Sequence, residues 1–153
     1  MKSPTSSDFD QTDRKIIETV RLDGRISITD LAEKVGLSKT PTQLRLKRLV
    51  ENGTIEGFRA ILSPQKLGLE HVAFVEVKLS DTREDALQKF NAAVKKLREV
   101  EECHMIAGAF DYLLKVRSSD IKAYRQILGE KISSLPHVAS TSTFVAMQSV
   151  KEK

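Results

Sequence analysis

Four basic side chains in one short stretch are the residues of this sequence best suited to binding chemistry. Lys39, Arg45, Lys47 and Arg48 lie within a run, residues 39–48, that contains no acidic side chain. Arginine can donate two hydrogen bonds to the edge of guanine, and lysine neutralises phosphate. The run therefore indicates a surface that binds nucleic acid. Charged residues opposite a buried stripe are also typical of a solvated helix face, or of a helix that contacts another protein.

The elements around this run predict a helix-turn-helix. Apolar residues at helical spacing indicate a first helix that ends at Asp23-Gly24, where glycine can terminate it. A second short helix is expected after Ser27, which has an acid three residues further on, as in a capping box. A third helix follows, capped by Ser38 or Thr40. Pro41 is tolerated in its first turn because the amides there have no helical partner.

The third helix is expected to bury Leu46, Leu49 and Val50 and to turn its opposite face towards the major groove. Each base pair shows a distinct pattern of donors and acceptors in that groove, so side chains on this face can read sequence. Arg45 and Arg48 are suited to guanine. The predicted DNA-binding residues are Ser27, Ser38, Lys39, Thr40, Pro41, Gln43, Leu44, Arg45, Lys47 and Arg48.

The other members of this set have different expected partners. Gln43 is suited to adenine. Ser27, Ser38 and Lys39 are placed to hold phosphates with the help of helix N-termini. Leu44 would either touch a thymine methyl group or pack on a neighbouring side chain.

The second half of the sequence predicts a small antiparallel sheet covered by two helices. The expected strands are residues 72–79, 100–109, 112–117 and 138–150, and the expected helices are residues 84–98 and 121–135. This β-α-β-β-α-β order is the ferredoxin-like arrangement, with both helices on one face. The predicted fold class is therefore α+β. A winged-helix-like helix-turn-helix domain with a joining strand (54–62) occupies residues 1–62, and a ferredoxin-like domain for effector sensing and oligomerisation occupies residues 63–153.

The turn between the second and third expected strands is the candidate ligand site of this half. Glycine at Gly108 permits a backbone path that exposes amides to a carboxylate, and Asp111 is able to pair with an ammonium group. Thr141 and Thr143 lie two apart on the last strand, share a face, and would supply hydroxyls from a neighbouring subunit. Taken alone, these residues are more typical of an ordinary hairpin turn and of the preference of threonine for strands.

Cys103 and His104 raise the alternative of an enzyme or a metal protein. Adjacent residues of a strand face opposite ways, so a thiol–imidazole dyad would need His71 or His137 from elsewhere. One cysteine and three scattered histidines do not form a zinc ligand set. We therefore predict no catalytic residue, no metal site and no cofactor, and interpret Cys103 as a small buried apolar residue. The competing hypothesis is a ferredoxin-like enzyme or metabolite-binding subunit with a helical docking arm.

The composition is that of a globular protein. The 153 residues are 40% hydrophobic and 30% charged, with a net charge of +4 that is compatible with DNA but is weak evidence for it. No apolar run is long enough to cross a bilayer, and no signal-peptide core occurs near the start. A single cysteine fits a reducing compartment. We expect a cytoplasmic location and no membrane partner.

Taken together, these features resemble the Lrp/AsnC family of transcription regulators. The residues that carry the resemblance are Phe9-Asp10, Asp13 and Ile16, the strings DGRIS (23–27) and VGLS (35–38), Thr40-Pro41, Arg45, Arg48-Leu49, Gly53, Ile55, Gly57-Phe58, the string ECH (102–104) and the string GAFDYLL (108–114). They occur in family order over nearly the whole chain. The sensor half is similar in particular to regulators of proline catabolism.

The resemblance implies how such a chain would work. It implies double-stranded DNA as the target, homodimers built through the sensor sheets, often joined into octamers, and an association with the nucleoid. It also implies an amino-acid effector bound between dimers. The effector residues would be Ala107, Gly108, Ala109, Asp111, Thr141 and Thr143. Leu44 replaces a usually polar residue of the family, and Ala109 replaces a frequent carboxylate.

Overall fold

The computed structural model describes residues 9–152, which divide into two compact units between Ile61 and Leu62. The first unit contains helices α1 (Gln11–Leu22), α2 (Ile28–Val35) and α3 (Lys39–Glu51). The second contains β1 (His71–Leu79), α4 (Glu84–Val94), β2 (Val100–Met105), β3 (Tyr112–Ser118), α5 (Ile121–Ile127) with a π-helical turn at Leu128–Ile132, and β4 (Val138–Val145). The predicted α+β fold class is confirmed. None of the described helices is long and apolar enough to span a bilayer.

The start and end signals of α2 are those that the sequence predicts. Ser27 is the N-cap, and its hydroxyl oxygen accepts a hydrogen bond from the Asp30 amide at 3.1 Å. Gly36 ends the helix with a left-handed backbone (φ 75°), a conformation that glycine adopts without steric cost. The tight turn that follows leads directly into α3. The helix-turn-helix is therefore set by local signals.

The buried stripe of α3 differs from the predicted one. Leu49 is fully buried and Leu46 is partly buried, but Val50 is 40% exposed. Thr42 is buried instead, with its hydroxyl donating to the Ser38 carbonyl at 2.9 Å. The contact line of the helix runs through positions 42, 46 and 49, spaced four and three residues apart. Position 50 lies about 100° round the helix from Leu49, so its side chain is turned away from the contact line.

The second unit is a four-stranded antiparallel sheet with strand order β2-β3-β1-β4. Alternate residues of the two central strands, from Ala73 to Leu79 and from Tyr112 to Val116, form its buried face. Phe90 of α4 and Tyr124 of α5 belong to the same core. Both helices thus cover one face of the sheet, and the other face has no helix over it among the described residues.

Several predicted boundaries of helices and strands are wrong. β2 ends at Met105 because the Ile106 amide already closes the turn by donating to the Asp111 carbonyl at 2.9 Å. β4 ends at Val145, which pairs with Ala73 of β1, and one further hydrogen bond follows, from the Ala146 amide to the Val72 carbonyl at 2.9 Å. α4 ends at Val94, four residues early, in a turn that leads into β2. Residues 54–62 form no strand, so the predicted joining strand is absent there.

Candidate nucleic-acid interface and sensor turn

The exposed face of α3 carries most of the residues predicted to bind DNA. Leu44 is 62% exposed, and the side chain of Arg48 is 57% exposed. Pro41 and Arg45 are half-buried at the margin of this face. The other exposed members of the set are Ser38, Lys39, Thr40, Gln43 and Lys47. The helix therefore presents a polar and basic surface with one apolar side chain in it.

Both arginines that are predicted to read bases form ion pairs with carboxylates at the start of α1. Arg45 Nη1 donates both to Asp13 Oδ1 at 2.9 Å and to Asp10 Oδ2 at 2.6 Å. Arg48 Nη2 donates to the second oxygen of Asp13, Oδ2, at 2.6 Å. Asp13 is 1% exposed, so its carboxylate lies inside the unit. The two guanidinium groups thus have a structural role in addition to the predicted one.

Asp10 adds a second carboxylate to this cluster. It is the N-cap of α1, and its Oδ1 accepts a hydrogen bond from the Asp13 amide at 2.8 Å. That bond, followed by the bond from Arg45, keeps the pKa of Asp10 below its ordinary value. The same contacts, with Asp10 first and Asp13 second, raise the pKa of Arg45. Arg45 is therefore a fixed cation with two carboxylate partners.

The two predicted phosphate-binding serines differ in their surroundings. The Ser27 hydroxyl donates to the Asp30 carboxylate at 2.6 Å while it caps α2, so a phosphate there would meet a negative charge. Ser38 is the N-cap of α3, but its hydroxyl makes no capping hydrogen bond. The amides of the first turn of a helix favour anions. The N-terminus of α3 is therefore better suited to phosphate than that of α2.

In the turn between β2 and β3 (residues 106–111), which we call the sensor turn, the Asp111 carboxylate is bonded to β1. Asp111 Oδ2 accepts a hydrogen bond from the Leu79 amide at 2.7 Å, and Lys78 Nζ lies 3.9 Å from its Oδ1. Lys78 also donates to the Ala109 carbonyl at 3.3 Å. The Asp111 carboxylate thus joins the turn to the end of β1. An ammonium group that bound there would share the carboxylate with these two donors.

The prediction that glycine at position 108 provides a special backbone path is wrong. Its φ is not positive, and a Cβ atom placed on it would meet Ile106 Cγ2 at 3.6 Å, an ordinary contact. A side chain would fit at this position without backbone strain. The neighbouring Ala107 and Ala109 are exposed, as Gly108 is. The turn is open to solvent, but glycine is not needed to shape it.

Thr141 and Thr143 share one face, and it is the face that the helices cover. They pair with the buried residues Val77 and Val75 across the sheet. Thr143 Oγ1 lies 2.5 Å from the hydroxyl of Tyr124 on α5. β1 separates β4 from β3, a distance of about 10 Å for two strand spacings. Within one chain, the threonines and the sensor turn are therefore not brought together.

Cys103 and His104 point to opposite sides of the sheet. Cys103 pairs with the buried Leu114 and packs against the core, where burial raises the pKa of its thiol. His104 lies on the open face, 3.4 Å from Glu102. Cys103 is half-buried rather than fully buried as predicted. The described residues contain no group of three potential metal ligands.

Comparison with known families decides the identity of the chain. Residues 72–153, more than half of it, match the Lrp/AsnC ligand binding domain, and residues 9–56 match a winged helix-turn-helix DNA-binding domain. The chain belongs to the Lrp/AsnC family. It is therefore a DNA-binding transcription regulator and not an enzyme, as predicted.

Relatives of this regulator match almost its full length. It is 68% identical to a proline dehydrogenase transcriptional activator of Rhizobium radiobacter, with 98% of this chain and 96% of the relative covered. It is 44% identical to the leucine-responsive regulatory protein of Escherichia coli K12, over 99% of this chain and 92% of the relative. The resemblance inferred from sequence motifs is thus confirmed.

Solved structures of the family share the fold. A transcriptional regulator of Neisseria meningitidis, solved as a complex with L-Met, is 31% identical with a TM-score of 0.88 over 94% of this chain and 93% of that one. An AsnC family regulator of Agrobacterium tumefaciens is 33% identical with a TM-score of 0.89, and 94% of each chain is covered.

Sequence reasoning gave no role to the charged residues on the open face of the sheet. Arg117 donates to Glu101, to Glu152 and to the Leu69 carbonyl, and Lys115 lies 3.2 Å from Glu152. Both cations are largely buried by these contacts. The alternation of residues 112–118 gives the one signal for them, because every second residue belongs to the buried face and the rest must face the other way.

Proposed function

We propose that this regulator controls transcription of a proline dehydrogenase gene by binding upstream of that gene as a homodimer. The observation that carries the proposal is the 68% identity, over nearly the whole chain, to a relative named as a proline dehydrogenase transcriptional activator. The regulator would act on nucleoid DNA in the cytoplasm. Two-fold symmetry of the dimer predicts two half-sites related by the same symmetry.

The DNA contacts are assigned to α3 and its N-terminus. Arg48 is the main candidate for guanine because a guanidinium has five N–H donors, and its bond to Asp13 uses one of them. Gln43, Leu44 and Lys47 share the exposed face and would contact bases or phosphates beside it. Ser38, Lys39 and Thr40 would hold a phosphate at the first turn. Pro41 and Arg45, half-buried at the margin of this face, would support it. Ser27 lies outside the face, at the N-cap of α2.

The dimer is assigned to the open face of the sensor sheet. Phe74 and Phe144 lie directly opposite each other on β1 and β4. Both side chains are exposed in the single chain, and Phe144 is 53% exposed. Exposed aromatic side chains on a sheet face without a helix favour association with a second copy. Pairs of such dimers would then form higher even-numbered assemblies, such as octamers.

The effector is proposed to be an amino acid bound at the sensor turn between dimers. The backbone amides of the exposed residues 107–109 would hold its carboxylate. Asp111 would pair with its ammonium group. Thr141 and Thr143 of a neighbouring subunit would add hydroxyls. The L-Met complex of the Neisseria meningitidis regulator supports this class of ligand.

The test is fluorescence anisotropy with the full-length protein. The probes are duplexes from the regions upstream of the proline dehydrogenase gene and of the regulator's own gene in the same genome. A random duplex of equal length is the control, at two salt concentrations. We expect binding at least about a thousandfold tighter to the specific DNA, weakening with salt. Equal binding to all duplexes would instead support an architectural role, and no binding would refute the proposal.

The same assay tests the effector. Proline, leucine and methionine are added separately to the complex with upstream DNA, and glycine betaine serves as a zwitterion without an N–H donor. We expect at least one amino acid to change the affinity for DNA while the betaine does not. An affinity that no amino acid changes would refute amino-acid control of DNA binding.

A further inference from the structure

Asp13 is the one buried acidic side chain among the described residues, and its partners come from the recognition helix. Each carboxylate oxygen accepts a hydrogen bond from a different arginine of α3, Oδ1 from Arg45 and Oδ2 from Arg48. A carboxylate removed from water is strongly destabilised unless such partners neutralise it. The contacts with Asp13 are therefore not ordinary surface ion pairs, which are weak and easily exchanged.

The geometry fixes one end of Arg48 and leaves the rest of it accessible. Asp13 takes a single hydrogen bond from its Nη2, while 57% of the side chain stays exposed on the face of α3 that is proposed to enter the groove. An arginine that reads guanine must present two parallel donors in one orientation. A long side chain held at one nitrogen loses less conformational freedom when it makes those bonds.

We propose that Asp13 is a specificity-determining positioning residue: it holds Arg48 in the orientation needed to read bases, while Arg45 neutralises its other oxygen. Asp13 itself does not touch DNA. The proposal rests on the assignment of α3 as the DNA-contacting helix. The proposal also predicts that Asp13 weakens non-specific binding to DNA, since its negative charge lowers the attraction of this surface for phosphates.

These two effects predict an outcome that a purely structural role does not. Asp13→Asn removes the charge that orients the arginines and increases the net positive charge of the interface. We expect the affinity for specific DNA to fall about tenfold, the order of one good base contact. The affinity for random DNA should stay the same or rise. The ratio of the two affinities would therefore fall, whereas partial unfolding would lower both affinities together.

The experiment measures both dissociation constants by anisotropy on full-length protein, with folding checked by circular dichroism. Glu33→Gln is the matched control, because it removes one exposed negative charge from the same unit on α2. We expect that variant to keep the wild-type ratio. An unchanged ratio in Asp13→Asn, with wild-type protein binding upstream DNA specifically, would refute the positioning role alone. Loss of specificity in the wild type would refute the proposed function itself.

A second variant keeps the inference testable if Asp13→Asn does not fold. Arg48→Lys retains the charge and the ability to pair with Asp13, but it lacks the two parallel donors. We expect the affinity for random DNA to be unchanged and the affinity for specific DNA to fall about tenfold. A lysine variant with the wild-type ratio would show that Arg48 is not positioned to read a base, and would overturn the proposal.

Discussion

Replacing Arg48 with alanine separates the two roles of this side chain. The change removes an exposed guanidinium from the face of α3 that is proposed to bind DNA, and it also removes the donor to Asp13 Oδ2. The first loss weakens DNA binding and the second weakens folding. Because the two losses act on different equilibria, each can be measured by itself.

The expected effect on DNA binding follows from the loss of a base contact. A bidentate arginine–guanine pair contributes about 1–3 kcal/mol of discrimination, so the affinity for specific DNA should fall roughly fivefold to 150-fold for each half-site. A dimer has one Arg48 at each half-site, and the effect on a complete site should be larger still. Random DNA should lose less affinity, since one phosphate contact is lost instead of a positioned pair.

The expected effect on stability is smaller than for a fully buried ion pair. A hydrogen bond to a charged group contributes about 1.5–3 kcal/mol. The exposure of Arg48 to solvent reduces this, and Arg45 still neutralises the other oxygen of Asp13. We therefore expect the free energy of unfolding of the first unit to fall by about 1 kcal/mol. Asp13 would remain buried with one charged partner.

Thermal denaturation and anisotropy on the same preparation distinguish the two effects. Arg21→Ala is the matched control: Arg21 makes an exposed pair with Glu18 on α1, and such surface pairs contribute little to stability. It should leave DNA affinity unchanged. If Arg48→Ala lowered the thermal midpoint but bound specific DNA as the wild type does, Arg48 would be a structural residue only, and the assigned interface would be wrong.

Three further changes test the other contacts. Asp10→Asn should reduce the loss of thermal stability on acidification. Because the pKa of Asp10 is lowered in the folded state, its carboxylate stabilises the fold fully above the ordinary value of 3.8, and this stabilisation is lost as the pH falls through the folded-state pKa. A variant with the same acid profile as the wild type would contradict this. Phe144→Lys should shift the sedimentation coefficient towards the monomer, whereas the exposed helix residue Ile121→Lys should not. Asp111→Asn keeps an acceptor for the Leu79 amide but loses the charge, so titrations should show DNA binding that no longer responds to the amino-acid effector; a normal response would exclude the charge from the site.

The fold could be predicted from the sequence wherever a local signal determines it. Ser27 and Gly36 delimit α2 by capping and by a left-handed backbone, and both effects depend on neighbouring residues alone. The alternation of residues 71–79 likewise determines which face of β1 is buried. Boundaries set by a distant partner were missed. β4 stops at Val145, where its last partner is Ala73 of β1, and the composition of residues 146–150 does not reveal that end.

The exposed basic face of α3 could be predicted from the sequence, whereas the contacts behind it could not. The basic face of α3 follows from charge and helical periodicity. Thr42 was overlooked because a hydroxyl that bonds to the carbonyl four residues earlier can be buried at little cost, as it is here with Ser38. The pairing of Arg48 with Asp13 joins residues 35 positions apart, and no spacing rule links them.

The arrangement around Asp13 implies a trade-off between folding and recognition in the first unit. The same arginines neutralise a buried carboxylate and belong to the basic surface that we propose to bind DNA. A more acidic cluster would stabilise the orientation of these side chains but would repel phosphates, and a neutral one would attract DNA without fixing the donors. Arg45, shared between Asp10 and Asp13, lies towards the structural end of this range, and the more exposed Arg48 lies towards the DNA-reading end. Variants of Arg45 should therefore affect mainly stability, and variants of Arg48 mainly sequence discrimination.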